Sequence, residues 1–354
     1  MFDTWPGEGV CFGMPHDTYL RMGGLSFSSA KYALISGMDV WARSSLNPQP
    51  EEREQSLYTD LGAAYHARII EGPEEFAARF APTLRPEDYP DALVSADDLR
   101  SKLRELGAAK VGTRKADMAA ALRSLGYEGP IWDELIAEYE AKHSGKTLLD
   151  QRLIDRIEYA AAMIERHPDL GPIFRGGFGE VAIFWRESQT GCPMKAKLDK
   201  LHLRAIADLK SFSNPQLRSL ERAIPYIIAA KKYYLQAAIY IDAVRAARRM
   251  WREKTGLFVA RAGAPHPTPE WLDRWASQPD DPSFVFVFQQ TGTAPVTKGR
   301  RLPAGNIMSI GEIEYLTAAR RVMEWHQRFG SDPWIDDEPI MDLDDSEFPA
   351  FVGM

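Results

Sequence analysis

The sequence predicts an α/β fold: a mixed central sheet of about four or five strands flanked by helices, with a helical insertion near residues 83–146. Three observations predict it. Residues 180–210 hold three β-rich runs joined by short connections, the pattern of an antiparallel meander. A stretch of helical apolar periodicity follows over about 228–250. Helical segments precede the strands, the first of them behind a cluster of serines.

Taken in order, residues 1–25 read as irregular, with Gly and Pro scattered through them. Leu25-Ser-Phe-Ser28 then leads into Ser29-Ala-Lys-Tyr-Ala-Leu-Ile35, a helix with a serine N-cap, ended by Gly37. Residues 44–55 form a polar loop around Pro48 and Pro50. A second helix starts near Asp60 and runs through His66 to Gly72, and the prolines and acids of 83–93 mark a linker. Within 95–126, Ser95 caps a helix bearing Leu99, Leu103 and Leu106 that ends at Gly107, and Thr113 caps another bearing Met118, Leu122 and Leu125. This pair is similar to SAP-type DNA-binding motifs, with a plain helical hairpin as the alternative. Residues 147–167 carry Leu149, Leu153, Ile157, Ala161 and Ile164 at helical spacing. Strands are expected at 180–186, 194–199 and 204–210, with a turn at 187–191. After the long helix, residues 263–282 form a Pro- and Asp-rich excursion with at most one short helix, 284–288 a buried strand, and 310–329 a last helix.

The chain opens Met-Phe-Asp-Thr-Trp, without the basic start and apolar run of a signal peptide, and no apolar run nears the roughly 20 residues that span a bilayer. The expectation is a cytoplasmic protein that does not engage membranes. Two cysteines, Cys11 and Cys192, cannot build a disulfide framework or the usual four-thiolate ligation of an iron–sulfur cluster. A net charge of −7 argues against an all-over nucleic-acid binder, but the charge is polarised. Residues 201–260 hold eleven Lys/Arg against four Asp/Glu, while 332–347 hold eight Asp/Glu and no Lys/Arg.

The chemistry centres on Asp199 and on Asp208-Leu-Lys210. Side chains alternate along a strand, so Asp208 and Lys210 share a face and Leu209 turns to the core. Two carboxylates can hold a hard cation such as Mg²⁺, and a lysine beside them can orient a water and offset phosphate charge. A surface Asp and a chance D-x-K is the competing reading. Glu180 opens the preceding strand and can add a third carboxylate. His66 sits on a helix whose small residues Gly62, Ala63 and Ala67 allow close approach, so its imidazole is either a metal ligand or a partly buried structural group. Tyr233, Gln236 and Tyr240 share one helix face beside Lys231, Lys232, Arg245, Arg248 and Arg249. That face suits a DNA backbone or end nucleotide, or is simply the buried side of an amphipathic helix.

Taken together, Leu25-to-Lys31, the Gly62-Ala-Ala-Tyr-His66 helix, Gly191-to-Asp199, Asp208-Leu-Lys210 and Gln236-to-Tyr240 resemble, in order, the PD-(D/E)XK nuclease superfamily and its RecE-type, exodeoxyribonuclease VIII-like group of phages and prophages. The resemblance covers roughly residues 17–80 and 147–290 and implies a restriction-endonuclease-like core. It implies His66, Asp199 and Asp208 as metal ligands, Glu180 as an outer or second-metal carboxylate, and Lys210 as the group that positions the attacking water. Gln236, Tyr240 and Tyr233 would contact DNA. One or two Mg²⁺ ions, or Mn²⁺, would be the cofactor. The family often has Arg-Pro before the first Asp, where this chain has Lys197-Leu198. The implied organisation is 1–82, helical part of the core; 83–146, insertion; 147–330, core with the catalytic strands; 331–354, acidic tail. The implied activity is resection of linear double-stranded DNA ends, 5′ to 3′, for recombination or repair, alongside a single-strand annealing protein and in a homo-oligomeric ring. A nicking or structure-specific endonuclease and a catalytically silent DNA-end binder are the alternatives.

Overall fold

A computed structural model describes residues 2–49, 57–108, 112–292, 294–335 and 340, with the backbone alone for 57–60. Most of the acidic tail thus lies outside the described residues. The chain divides into two compact units, Met1–Gln55 with Ile164–Met354, and Ser56–Met163.

The first unit begins with β1 (Gly9–Phe12), α1 (His16–Arg21), α2 (Phe27–Ala33) and α3 (Gly37–Ala42). The second holds α4 (Leu57–His66), α5 (Pro73–Arg79), β2 (Phe80–Pro82), α6 (Ala96–Glu105), α7 (Lys115–Ser124), α8 (Trp132–Lys142), β3 (Thr147–Leu149) and most of α9 (Gln151–Arg166). The first unit resumes with α10 (Leu170–Arg175), β4 (Phe178–Arg186), β5 (Pro193–Leu201), β6 (Ala205–Phe212), α11 (Leu220–Ala230), α12 (Tyr233–Glu253), β7 (Leu257–Ala260), α13 (Pro269–Ala276), β8 (Ser283–Gln290), β9 (Thr297–Leu302) and α14 (Asn306–Phe329).

In the first unit the sheet has seven strands, not four or five, in the order β7-β1-β4-β5-β6-β8-β9. It is mixed: β1 with β7 and β6 with β8 are parallel, and the other pairs are antiparallel. The three extra strands explain the shortfall. β1 is four residues long in a segment that reads as irregular, β7 is a short edge strand, and β9 is the polar run TKGRRL at the other edge. Edge strands take half their hydrogen bonds from one neighbour and need no apolar alternation.

α12 packs on β4 and β5 on one side and α14 on the other. That double cover is why most of its residues from Leu235 to Met250 are buried. α14 approaches so closely that a Cβ on Gly311 would lie 2.6 Å from the Tyr234 carbonyl oxygen. The single helix expected over 228–250 is broken. Lys232 takes a left-handed conformation, φ 53°, and separates α11 from α12. Ser26 caps α2, and Gly37 starts α3 behind the Ser36 cap rather than ending the earlier helix. Past α14, Trp334 is fully buried, against Trp325.

The second unit has two apolar clusters of its own. One joins Tyr65, Phe76, Phe80, Leu149 and Ile157. The other, Leu99, Leu103, Met118, Leu122 and Ile131, knits α6 to α7. Ser95 forms a capping box with Asp98, but Thr113 caps nothing: Arg114 is the N-cap of α7 and makes no side-chain capping bond. Leu149 belongs to β3, not to the helix after it. α4 runs on into a π-helical turn, Ala67–Glu71. Among the described residues, no helix is long and apolar enough to cross a membrane.

Candidate active site

The meander of the first unit sets the register of three acids. β4 pairs with β5 through Gly179↔Lys200 and Val181↔Leu198, which brackets Glu180 opposite Asp199. β5 pairs with β6 through Lys200↔Ala207 and Leu201↔Ile206, so the ladder ends one residue short of Asp199 on β5 and of Asp208 on β6. Both β4 and β5 lose their alternation at this level. Phe178 and Val181, three residues apart, pack on the same core, and so do Leu198 and Leu201. Glu180 itself has φ 55°, the left-handed region that non-glycine residues rarely occupy. Such a backbone costs free energy and persists where its surroundings hold it.

Asp208 is 1% exposed. Its Oδ2 forms an ion pair with Lys210 Nζ, and its Oδ1 accepts a 2.7 Å hydrogen bond from Gln236 Nε2 on α12. Asp199 Oδ2 accepts a 2.8 Å bond from the Leu209 backbone N–H, which ties the acid of β5 to the strand carrying the other two groups. Burial opposes the charge on Lys210, but Asp208 and Asp199 outweigh it and lift its pKa above the ordinary lysine value. The Lys210 ammonium also lies 4.9 Å from the ring centroid of Tyr233, which rests on Phe286 and Phe288 of β8. Tyr240 is buried against Phe284, and burial first, then Tyr19 and the two aspartates, keep its phenol protonated.

Glu180 is ion-paired with Lys197, which stands where the family pattern has Arg. The sequence does not announce this partner, because the pairing depends on cross-strand register. His66 lies in the second unit. There its Nδ1 is 3.4 Å from Glu71 Oε1, and Glu71 is also paired with Arg79. Burial opposes ionisation of Glu71, but hydrogen bonds from His66 and Arg79 win and hold its carboxyl down at about 2.

Of the predicted residues, the first unit thus brings together Asp199, Asp208, Lys210, Tyr233, Gln236 and Tyr240, with Glu180 level in register. Carboxylate oxygens are hard donors of the kind Mg²⁺ and Mn²⁺ take, so the donor set fits such an ion. A groove of about 880 Å³ on the β7 side, lined by Phe12, Phe258, His266 and Leu272 among others, contains none of these residues and no carboxylate. It is not the site of this chemistry.

Residues 124–260 match a protein family described as a PDDEXK-like domain of unknown function. That segment includes Glu180, Asp199, Asp208, Lys210, Tyr233, Gln236 and Tyr240. This part of the chain is similar to a PDDEXK-like domain, the superfamily that the motifs resemble. A search of curated proteins gave no match. Among solved structures the chain is similar to one from Eubacterium rectale described as a "Putative exonuclease", at 14% identity and a TM-score of 0.32, over 64% of this chain and 71% of that one. So distant a likeness says nothing about substrate.

Proposed function

We propose that the protein is a divalent-metal-dependent deoxyribonuclease of the RecE type that resects linear duplex ends, 5′ to 3′, in recombination or repair. The observation that carries this reading is the buried Asp208–Lys210 pair with Asp199 bonded to the residue between them, inside the PDDEXK-like segment. Asp199 and Asp208 would hold the ion, with Glu180 as outer carboxylate and His66 as a nitrogen ligand. His66 rests on its sequence pattern alone. The ion supplies charge neutralisation at the phosphate and acidifies a water.

The residues do the rest. Gln236 fixes one oxygen of Asp208, so the carboxylate presents its remaining lone pairs in one orientation. Lys210, steadied over the Tyr233 ring, donates to the attacking water and to a non-bridging phosphate oxygen as negative charge builds there. Tyr233 is the half-exposed member of its helix face and is suited to stack on a base. Buried Gln236 and Tyr240 act through Asp208 and the sheet.

Linear duplex labelled at either end, incubated with and without Mg²⁺ beside a covalently closed plasmid, tests the reading. Shortening from 5′ ends with the plasmid intact is expected. Nicking of the plasmid would make the protein an endonuclease, and binding without hydrolysis would make it a silent end-binder. Asp208→Ala and Lys210→Ala should each lower cleavage at least a hundredfold with the fold retained. Near-normal activity in either folded variant would refute the site.

A further inference from the structure

We propose that Lys31 and Lys231 form an anion site beside the acid–lysine pair, and that it grips an internal backbone phosphate of the DNA next to the scissile bond. This deepens the nuclease reading and rests on it. Lys31 lies on α2, half-buried, with its Nζ 4.8 Å from the ring centroid of Phe27. Phe27 is 6.5 Å from Tyr233, the ring that carries Lys210 at 4.9 Å. The ammonium groups of Lys31 and Lys210 therefore lie on neighbouring rings of one aromatic run. Lys231 closes α11 two residues before Tyr233 and is exposed.

The balance of charge is the unusual feature. Lys210 is paired with Asp208, and Lys232 with Glu314. Among the described residues, neither Lys31 nor Lys231 has a carboxylate partner. Lys31 feels the cluster: burial first, then Lys231 and Lys210, push its pKa below the ordinary lysine value. Positive charge that is partly desolvated and uncompensated is costly in a free protein. An anion removes the cost, and a phosphodiester is the anion delivered next to Lys210 when the reaction takes place. Two lysines act as point charges and read no base, so the site fixes the register of the strand without sequence preference. An internal phosphate and a terminal 5′-phosphate share this chemistry; the position beside Lys210, where the reacting bond lies, favours the internal one.

The test uses short duplexes in which one phosphate near the cleaved bond is replaced by a neutral methylphosphonate, read by the full-length wild type and by a Lys31→Met/Lys231→Met double variant. In the wild type, neutralising the contacted phosphate should lower kcat/KM roughly 10- to 100-fold, the range of one charge-assisted contact. The double variant should show that loss on the ordinary duplex and no further loss on the modified one. Lys31→Arg with Lys231→Arg should restore most of it. A wild type indifferent to every internal substitution, or losses that simply add, would overturn the proposal. So would sensitivity only to removal of the 5′-terminal phosphate. If the double variant does not fold, the single Lys231→Met change at an exposed position serves in its place. Equilibrium binding of the same duplexes in Ca²⁺ separates the two layers. A wild type that cleaves nothing but binds the modified duplex more weakly, by a margin absent in the variant, sinks the nuclease reading and keeps the anion site. No such margin sinks the site.

Discussion

Gln236→Leu isolates the contact that holds the central acid. The glutamine is 3% exposed and donates a 2.7 Å hydrogen bond to Asp208, which is 1% exposed. Leucine fills a similar volume, so the change removes the hydrogen bond and leaves little cavity. A bond to a charged group contributes about 1.5–3 kcal/mol, and the Asp208 Oδ1 left without it stays buried. The first unit should therefore lose about that much, a factor of roughly 10 to 150 in its folding equilibrium, offset in part by the apolar replacement. Urea unfolding followed by tryptophan fluorescence reads it, since Trp185 is buried in the same unit. Cleavage should fall as well, chiefly in kcat, because Asp208 loses its fixed orientation. Unchanged stability together with unchanged kcat would refute the claim that Gln236 orients this acid.

Further predictions concern the frame around the site. Asp242 accepts from Trp185 Nε1 at 2.8 Å and Tyr315 Oη at 2.7 Å. Burial raises its pKa despite those bonds, so the folded form holds its proton to higher pH than the unfolded one, and stability falls as pH rises from the unfolded value through the folded one. Asp242→Asn should flatten that decline in pH-dependent melts, and a slope equal to wild type would refute it. Gly311→Ala forces a methyl against the Tyr234 carbonyl and should destabilise by about 1–3 kcal/mol in chemical denaturation, an overpacking cost. Trp334→Ala should cost about 3–5 kcal/mol. Truncation after residue 335 spares that tryptophan, and DNA affinity against salt in the truncated protein reads whether the acidic tail screens the basic segment; an unchanged affinity and salt slope would remove that idea.

The acid–lysine pair is legible because one rule suffices for it: period two along β6 places Asp208 and Lys210 together, and the helix period places Gln236 with Tyr240. The partner of Glu180 is not legible, because its ion pair with Lys197 depends on cross-strand register and on a left-handed backbone that no glycine announces. Nor are β1, β7 and β9. They are held by their neighbours, and their own residues carry little preference. The break at Lys231–Lys232 is hidden for the same reason, since apolar periodicity runs across it from Ile227 to Leu235. His66 shows another limit: a histidine on a helix of small residues reads the same whether it serves a metal or an acid such as Glu71.

β6 is the fifth of seven strands, bonded on one flank to antiparallel β5 and on the other to parallel β8. The ladder to β5 stops at Ala207, so the segment bearing Asp208 and Lys210 is held by the β8 ladder on one flank and by the Leu209 N–H bond to the Asp199 carboxylate on the other. Its amides should be among the last to exchange with deuterated solvent. Any adjustment to an incoming duplex then falls to the rim, to α11 and the turn before it, where Leu217 stands 89% exposed. Chemistry and accommodation are assigned to different parts of the chain, and a variant that loosens the rim should alter which ends are accepted long before it alters how fast an accepted bond is broken.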